Sequence, residues 1–462
     1  MKEITIVGGG LAGCEAALQI AKRGITVKLY EMKPVKYSPA HSNENLAEIV
    51  CSNSFKSNLL TNACGLLKEE LRVLGSEIIP IADKNAIPAG QALAVDRDTF
   101  SKDVTKKVEE NPYIKVIREE MTKIPDENIV IVATGPLTSD SLAKEIKRIT
   151  GDDGLYFYDA ASPIIEKDSI DFDIAFLGNR YDEERGLDES IEDWKKRLSK
   201  QEESGYINLP MNKEEYERFV EELVNAEVAT LHDFEKREIF EGCMPIEIMA
   251  KRGKDTLRFG PLKPVGFTDK RTGKRPYAVV QLRQDNKEGN IYNMVGFQTN
   301  LKYGDQKRVF SMIPGLQNAN FVKYGVMHRN TYINSPMILD CTYKVRNKDI
   351  FFAGQITGVE GYVESISSGF VAGINAFKLY EIYNKSKDST EAQEEYEKEK
   401  VIFSNENVIG ALAKYISEEK EKFEPMNANF GILPELKSSI KDKKERYQAL
   451  ATRSLKGIHS IL

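Results

Sequence analysis

The chain opens with an alternation of short apolar runs and longer stretches of helical character. Residues 4–7 are apolar or β-branched, residues 11–23 follow with helical character, and residues 25–30 form a second short apolar run. Gly24 stands where a helix commonly ends. The order of strand, helix and strand within about thirty residues predicts a βαβ unit with parallel strands.

A glycine-rich turn joins the first predicted strand to the first helix. Gly8, Gly10 and Gly13 have G-x-G-x-x-G spacing, in which the first glycine allows a tight turn, the second lets backbone approach a pyrophosphate, and the third lets helix pack on strand. The helix N-terminus adds free N–H groups and a positive dipole end. Glu31 follows the second strand, at the position where an acidic residue accepts hydrogen bonds from ribose hydroxyls. The unit therefore predicts a dinucleotide site formed by Gly8, Gly9, Gly10, Leu11, Ala12, Gly13 and Glu31.

Two later stretches have the same strand-and-small-turn character. Residues 128–132 run into Ala133-Thr134-Gly135, and residues 349–352 run into Ala353-Gly354-Gln355, with Gly361 and a helical stretch following. A two-dinucleotide-binding flavoprotein fold uses all three elements, whereas a Rossmann domain that binds only NAD lacks the last. We therefore expect an α/β protein with a Rossmann FAD domain. The additional cofactor-binding candidates are Thr134, Gly135, Gly354, Gln355 and Gly361.

The middle of the chain differs in character from both ends. Charged segments of helical pattern cover residues 189–203 and 213–225, and a basic stretch punctuated by glycine and proline follows over 251–285. We interpret this region as an inserted α+β domain. The predicted division is 1–165 for the first part of the FAD domain, 166–325 for the insertion, and 326–462 for the second part with a basic helical tail.

Smaller elements complete the first domain. The pattern predicts a helix over 99–109, for which Asp98 is the expected N-cap, and strands over 114–117 and 128–132. Residues 385–400 are rich in acids and predict a solvated helix or a linker.

Composition excludes several classes of protein. No run of about 18 apolar residues is present, so we expect no membrane span, and the N-terminus reads as a strand rather than a signal peptide. A cytoplasmic protein is therefore expected. Five cysteines without regular spacing do not predict a disulfide framework. With no C-x-x-C pair and four histidines, no metal site is expected.

Charge is unevenly distributed along the chain. The formal net charge of −6 argues against a protein whose whole surface attracts nucleic acid. Residues 251–283, however, carry ten Lys or Arg and two acids, and residues 437–456 carry seven and two. Each basic stretch taken alone fits either a solvated face or a phosphate-binding surface.

Four motifs resemble known families. Val7-Gly8-Gly9-Gly10-Leu11-Ala12-Gly13-Cys14-Glu15-Ala16-Ala17 together with Phe352-Ala353-Gly354-Gln355-Ile356-Thr357-Gly358-Val359-Glu360-Gly361-Tyr362 resembles the GidA-related flavoproteins. Cys51-Ser52-Asn53-Ser54-Phe55-Lys56-Ser57 and Phe240-Glu241-Gly242-Cys243-Met244-Pro245-Ile246-Glu247 resemble the folate- and flavin-dependent tRNA uracil-5 methyltransferase family. The resemblance covers nearly the whole chain.

The resemblance implies a reaction and its cofactors. In that family a methylene group passes from 5,10-methylenetetrahydrofolate through reduced FAD to C5 of a uridine, usually in the tRNA T loop, and NADH or NADPH supplies electrons. C5 of uracil becomes nucleophilic only after addition to C6, for which a thiolate is suited, and the C5 proton must then leave to a base. We assign Cys243 as the nucleophile and Cys51 as the base, although the two roles could be reversed. Cys14, Cys64 and Cys341 are expected to be small buried residues.

Substrate contacts are predicted with less detail. His232 fits either stacking on the pterin or a helix surface, while Lys251, Arg252 and Arg283 could meet folate glutamate or RNA phosphate. The expected partners are RNA and folate, without a membrane or a stable protein partner. Three alternatives remain: the same chemistry on ribosomal RNA, a flavin-containing RNA-binding protein without methyl transfer, and a flavin oxidoreductase acting on a small molecule. The last leaves both cysteine motifs and both basic stretches unexplained.

Overall fold

A computed structural model describes residues 2–126, 128–151, 155–180, 205–229 and 244–459, except for the side chains of residues 155–159 and 328–329. The strands in these residues are β1 Ile4–Val7, β2 Val27–Tyr30, β3 Ser54–Ser57, β4 Ala86–Ile87, β5 Ala92–Val95, β6 Ile114–Ile117, β7 Ile129–Val132, β8 Leu155–Ala160, β9 Ile164–Glu166, β10 Phe176–Leu177, β11 Tyr206–Met211, β12 Ala278–Gln284, β13 Ile291–Met294, β14 Phe321–Lys323, β15 Met327–Tyr332 and β16 Ile350–Phe352.

The helices are given in the same order. They are α1 Leu11–Ala21, α2 Ala63–Leu74, α3 Ile79–Lys84, α4 Arg97–Glu109, α5 Asp140–Thr150, α6 Lys213–Asn225, α7 Ile246–Lys251, α8 Thr256–Phe259, α9 Tyr303–Phe310, α10 Ser335–Ile338, α11 Tyr362–Tyr383, α12 Ser389–Glu399, α13 Val408–Ser417 and α14 Lys443–His459. Short 3₁₀ turns cover Lys167–Ser169, Gln355–Thr357 and Phe430–Ile432.

A parallel sheet of five strands forms the first layer, in the order β16-β7-β1-β2-β6. Strands β1 and β7 are buried along their whole length, as parallel strands covered on both faces are. Ile6 pairs with Leu29 on one side and Ile131 on the other. Strand β16 pairs with β7 although more than 200 residues separate them. The expected α/β fold with a Rossmann-type sheet is thus confirmed, as is the return of the late strand to it.

The late helix α11 packs closely along the first helix α1. A Cβ added to Gly369 would lie 2.2 Å from the carbonyl oxygen of Ala12, and one added to Gly373 would lie 2.9 Å from the Cα of Ala16. Only glycine therefore allows this approach of the two backbones. The contact brings the start of α11 beside the glycine-rich turn.

A second sheet lies apart from the first and has its own apolar core. Its strands are antiparallel between neighbours and follow the order β10-β11-β12-β13-β9-β14, with α6, α7, α8 and α9 contributing to the same core. Strands β8 and β15 pair with each other in the two segments where the chain passes between the two sheets. Strands β3, β5 and β4 form a small third sheet. The strands of the second sheet run from Ile164 to Lys323, while the domain division at 166 and 325 stays a prediction.

Some local expectations change in the structure. Helix α4 begins at Arg97, and Asp96 caps it by accepting a hydrogen bond from the Thr99 N–H at 2.8 Å, so the N-cap predicted at Asp98 is wrong. Asp96 has the extended backbone that an N-cap residue needs, whereas Asp98 lies in the first turn of the helix. Helix α6 confirms the helical pattern of 213–225, whereas 189–203 lies outside the described residues. In the described part of the chain, no helix has the length and apolarity needed to cross a membrane.

Candidate functional site

A deep cleft opens at the carboxyl ends of the parallel strands, where ligands of such sheets bind. It has about 1120 Å³ of empty space and is open on one side. Its walls include the residues that follow β1, β7 and β16: Gly8, Gly9, Gly10, Leu11, Ala12, Thr134, Gly135, Gly354 and Gln355. Most of the predicted cofactor residues therefore share one cavity.

The three motif glycines differ in what surrounds them. Gly8 has φ of 106°, and a Cβ there would lie 2.5 Å from the carbonyl oxygen of Ala133. A Cβ on Gly13 would lie 1.9 Å from the carbonyl oxygen of Gly8. At Gly10 a Cβ would meet no described atom within 4 Å, because this side faces the cleft. Gly8 and Gly13 thus serve the turn and the packing, and Gly10 leaves room for a pyrophosphate.

Glu31 is held in the cleft wall by two backbone groups. Its side chain accepts hydrogen bonds from the N–H of Gly9 at 2.9 Å and from the N–H of Lys33 at 2.9 Å. Each carboxylate oxygen can accept a further hydrogen bond, so the group retains capacity for ribose hydroxyls. Together with the open face at Gly10 and the N-terminus of α1, this arrangement fits a dinucleotide such as FAD.

The later cofactor candidates follow β16, the strand that is separated from β1 by β7 alone. Gly354 has φ of 80° and donates its N–H to the Ser368 hydroxyl at 2.7 Å, which ties the end of β16 to α11. Gln355 lines the cleft and donates from its amide to Glu360 at 2.9 Å. Gly361, with φ of 122°, precedes α11 and is not among the residues that line the cleft, although the next residue, Tyr362, is.

Cys51 faces a second cavity that adjoins the cleft. This cavity, which we call the Cys51 cavity, has about 690 Å³ of empty space. It shares wall residues with the cleft: Val50, Pro136, Leu137, Gln355 and Tyr362. Its other polar side chains are Lys323 from β14 and Asn330 from β15. A thiol therefore stands where a ligand bound in the cleft could meet a second ligand.

The segment carrying Cys51 is held from several sides. The Tyr362 hydroxyl accepts hydrogen bonds from the N–H groups of Cys51 at 3.0 Å and Ser52 at 3.2 Å. Burial raises the pKa of Tyr362 well above its ordinary value, so the phenol stays protonated. The buried Asn53 donates from its amide to the carbonyl oxygens of Val95 and Gln284, at 3.2 and 3.0 Å. These bonds fix the loop between the two large sheets.

A buried ion pair adds to this junction. Arg97 donates to both oxygens of Asp285 at 3.0 Å and to the carbonyl oxygen of Ile49 at 3.0 Å. Desolvation lowers the pKa of Lys323, and the neighbouring Arg97 charge lowers it further. Two cationic side chains from different elements thus lie near Cys51, and Lys323 lines its cavity.

Comparison with known proteins identifies the family. The family model "Glucose inhibited division protein A" matches residues 3–383. The chain belongs to the GidA family. A GidA structure from Aquifex aeolicus has the same fold, with a TM-score of 0.67 at 17% identity over 100% of this chain and 76% of that one.

Two relatives with a more specific name indicate which members of the GidA family this chain resembles in sequence. The chain is 58% identical over 420 residues to "Methylenetetrahydrofolate--tRNA-(uracil-5-)-methyltransferase TrmFO" of Acetivibrio thermocellus, covering 91% of this chain and 89% of the relative. The protein of the same name from Bacillus licheniformis is 55% identical over 420 residues, with the same coverage. The family resemblance of the sequence motifs is thereby confirmed.

The other cysteines of this GidA-family chain have different surroundings. Cys14 and Cys64 are fully buried, and burial raises the pKa of Cys14 far above its ordinary value and that of Cys64 to about 12. Cys341 was expected to be buried but is only partly so, since it follows the short helix α10 in a surface turn. Neither cavity is lined by these three residues.

The remaining predicted site residues are dispersed. Cys243 and His232 lie outside the described residues. Lys251 ends α7 and Arg252 follows it, both exposed and away from the two cavities. Arg283 is 8% exposed and donates to the Asn53 side-chain oxygen at 3.0 Å, so it bridges the second sheet to the Cys51 segment.

Several residues at the site were missed by the sequence interpretation. Tyr362 directly follows Gly361 and had a detectable signal, because it ends the motif that runs from Phe352 to Tyr362. Arg97 follows the true N-cap Asp96, and recognition of that cap would have placed it at a helix start. Lys323 and Asn330 had no local signal, because their position depends on where β14 and β15 lie.

Proposed function

We propose that this GidA-family chain is a folate- and FAD-dependent tRNA (uracil-5-)-methyltransferase that forms 5-methyluridine in the T loop. The observation that carries the proposal is the position of Cys51 in a cavity that shares its wall with the dinucleotide cleft. The names of relatives at 55–58% identity give the reaction class. A cytoplasmic location accords with such a substrate.

The cleft residues hold the cofactor in this proposal. The N-terminus of α1 and Gly10 would receive the pyrophosphate, Glu31 would accept hydrogen bonds from the ribose hydroxyls, and Gly354 and Gln355 would contribute the wall shared with or next to the Cys51 cavity. Bound FAD supplies transfer of the methylene group from methylenetetrahydrofolate and its reduction, with NADH or NADPH as the electron source.

The chain itself supplies the nucleophile and the base. In our assignment the Cys243 thiolate adds to C6 of uracil, which makes C5 nucleophilic, and the Cys51 thiolate takes the C5 proton before Cys243 is eliminated. The Cys51 role is supported by its cavity and its fixed loop. The Cys243 role rests on its sequence motif.

The predicted insertion, residues 166–325, would contribute RNA and folate contacts. Lys251 and Arg252 are exposed and suited to phosphate, and His232 to the pterin. Arg283 would act from within the junction, since its guanidinium already contacts Asn53. RNA affinity should then fall steeply as salt concentration rises.

The test follows a labelled methylene group. Methylenetetrahydrofolate labelled in that group is incubated with the flavin-loaded protein, NADH or NADPH, and unmodified transcripts of tRNA and ribosomal RNA. Label at the T-loop uridine is expected. Label only in ribosomal RNA would favour the alternative substrate, and no label from a folded, yellow protein would reject methyl transfer.

The cysteine assignment needs separate variants. RNA containing 5-fluorouridine is offered to Cys51→Ala, Cys243→Ala and the control Cys341→Ala, whose thiol lies outside both cavities. We expect a covalent adduct with Cys341→Ala and none with Cys243→Ala. A stable adduct with Cys243→Ala would reverse the two roles.

A further inference from the structure

Asn330 is a buried amide without a hydrogen-bond partner in the described structure. It lies in β15, is 3% exposed, and lines the Cys51 cavity. The buried Asn375 differs from it, because it donates to the Val371 and Val401 carbonyl oxygens and accepts from the Val401 N–H. The Asn330 amide lines the cavity without such internal bonds, so its donor and acceptor functions are available to a ligand there.

The remaining polar side chains of the cavity wall are already engaged or lack one function. The Tyr362 hydroxyl accepts from two backbone N–H groups, and the Gln355 amide donates to Glu360. Lys323 has donors but no acceptor. Among the described wall residues, Asn330 is thus the amide whose two donors and acceptor are all uncommitted, whereas Gln355 has already used one of its two donors.

That pair of functions suits one ligand chemistry. An amide presents N–H next to C=O, and the complementary edge is an imide, in which an N–H stands beside a carbonyl. Pyrimidinedione rings carry this edge, and they occur both in uracil and in the pyrimidine part of a flavin. An ionised phosphate or carboxylate only accepts hydrogen bonds and would leave the Asn330 carbonyl oxygen without a partner, so the amide matches such a ring better.

We propose that Asn330 binds the imide edge of a pyrimidinedione ring in the Cys51 cavity. The inference rests on the proposed function, which supplies two sources of the ring, the target uridine and FAD. Asn330 is a binding residue in either case. The Cys51 thiol on the same cavity wall would then face a ring whose orientation Asn330 sets.

The test compares Asn330→Ala with the matched variant Asn375→Ala. Flavin-free protein is titrated with FAD, flavin-loaded protein is assayed for KM and kcat on a T-loop transcript, and urea unfolding is measured for each variant. Asn375→Ala should lower stability and leave the affinity for FAD and the KM for RNA unchanged, because the hydrogen bonds of Asn375 are internal. Asn330→Ala should leave stability unchanged or raise it, because no internal bond is lost.

The expected loss at Asn330→Ala is roughly tenfold to a hundredfold in affinity for the ring that it binds. If the FAD affinity falls by this factor, the flavin is the source of the imide. If FAD affinity is unchanged and KM for RNA rises by this factor, uracil is the source. The isosteric Asn330→Asp, which replaces the donor by an acceptor, should reproduce the loss.

Two results separate the failure of this inference from failure of the function. Asn330→Ala and Asn330→Asp with wild-type FAD affinity and wild-type KM would overturn the inference while methyl transfer stands. A wild-type protein that binds FAD but transfers no label would overturn the proposed function, and the FAD titration of Asn330→Ala would still decide the flavin arm.

Discussion

Replacement of Asp285 by asparagine perturbs the junction between the two large sheets at one defined point. Asp285 accepts two hydrogen bonds from Arg97, whose third bond goes to the carbonyl oxygen of Ile49, two residues before Cys51. The substitution keeps the shape of the side chain but leaves the Arg97 charge without its partner. We therefore expect a loss of stability and a displaced Cys51 loop.

The magnitude follows from burial of the pair. The side chains of Arg97 and Asp285 are 17% and 2% exposed, and removal of one partner of a buried pair costs about 3–5 kcal/mol. Arg72 and Asp83 form the same bidentate arrangement at 2.8 Å, but their side chains are 27% and 38% exposed. Asp83→Asn is therefore a matched control that should cost about 0.2–1 kcal/mol.

The assay combines unfolding with thiol labelling. Urea unfolding measures the change in free energy, and alkylation with iodoacetamide followed by peptide mass spectrometry measures the rate at Cys51, with Cys341 as internal reference. Asp285→Asn should change the Cys51 rate relative to Cys341, whereas Asp83→Asn should not. Arg97→Met with Asp285→Leu should recover stability, because no charge is left unpaired, but not the Cys51 rate.

Two results would refute this reasoning. Equal costs for Asp285→Asn and Asp83→Asn, within about 0.5 kcal/mol, would show that burial does not distinguish the pairs. An unchanged Cys51 labelling rate in a destabilised Asp285→Asn protein would show that the ion pair supports the junction without positioning the loop.

Three further substitutions concern the part of the chain that contains the parallel sheet. Gly10→Ala should fold normally but bind FAD more weakly by roughly tenfold or more, whereas Gly369→Ala should lose stability by about 1–3 kcal/mol, because its Cβ would meet the Ala12 carbonyl; FAD titration and urea unfolding distinguish the two. Burial raises the pKa of Glu70 to about 7, so the folded state holds a proton that the unfolded state releases near pH 4.5. The free energy of unfolding should therefore decrease as pH rises from about 4.5 to 7, and Glu70→Gln should flatten this part of the pH profile measured by urea unfolding.

Much of the candidate cofactor cleft was predictable because its signals are local. Gly8, Gly10 and Gly13 occupy a turn whose geometry depends on a few consecutive residues, and the observed φ of Gly8 agrees with its predicted task. Glu31 lies at a set distance along the same βαβ unit. The late Gly354 turn was predictable for the same reason. The pairing of β16 with β7, however, depends on the tertiary fold.

The surroundings of Cys51 were less accessible to sequence reasoning. Arg283 belongs to a basic stretch by sequence, yet the pairing of β12 with β11 and β13 turns it toward Asn53. Charge counts along a chain do not distinguish a surface cation from one inside a junction, because burial depends on which elements cover the residue.

The sequence by itself determined the strand–turn–helix units, the dinucleotide motif and the family, because apolar periodicity and short glycine spacings act within about thirty residues. The tertiary structure alone decided that Arg97 binds the carbonyl oxygen of Ile49 near Cys51, and that Lys323, Asn330 and Tyr362 line the Cys51 cavity. These residues come from α4, β14, β15 and α11, and they meet because separate sheets pack together across more than 300 residues of chain. Such convergence depends on long-range packing, for which no local pattern exists.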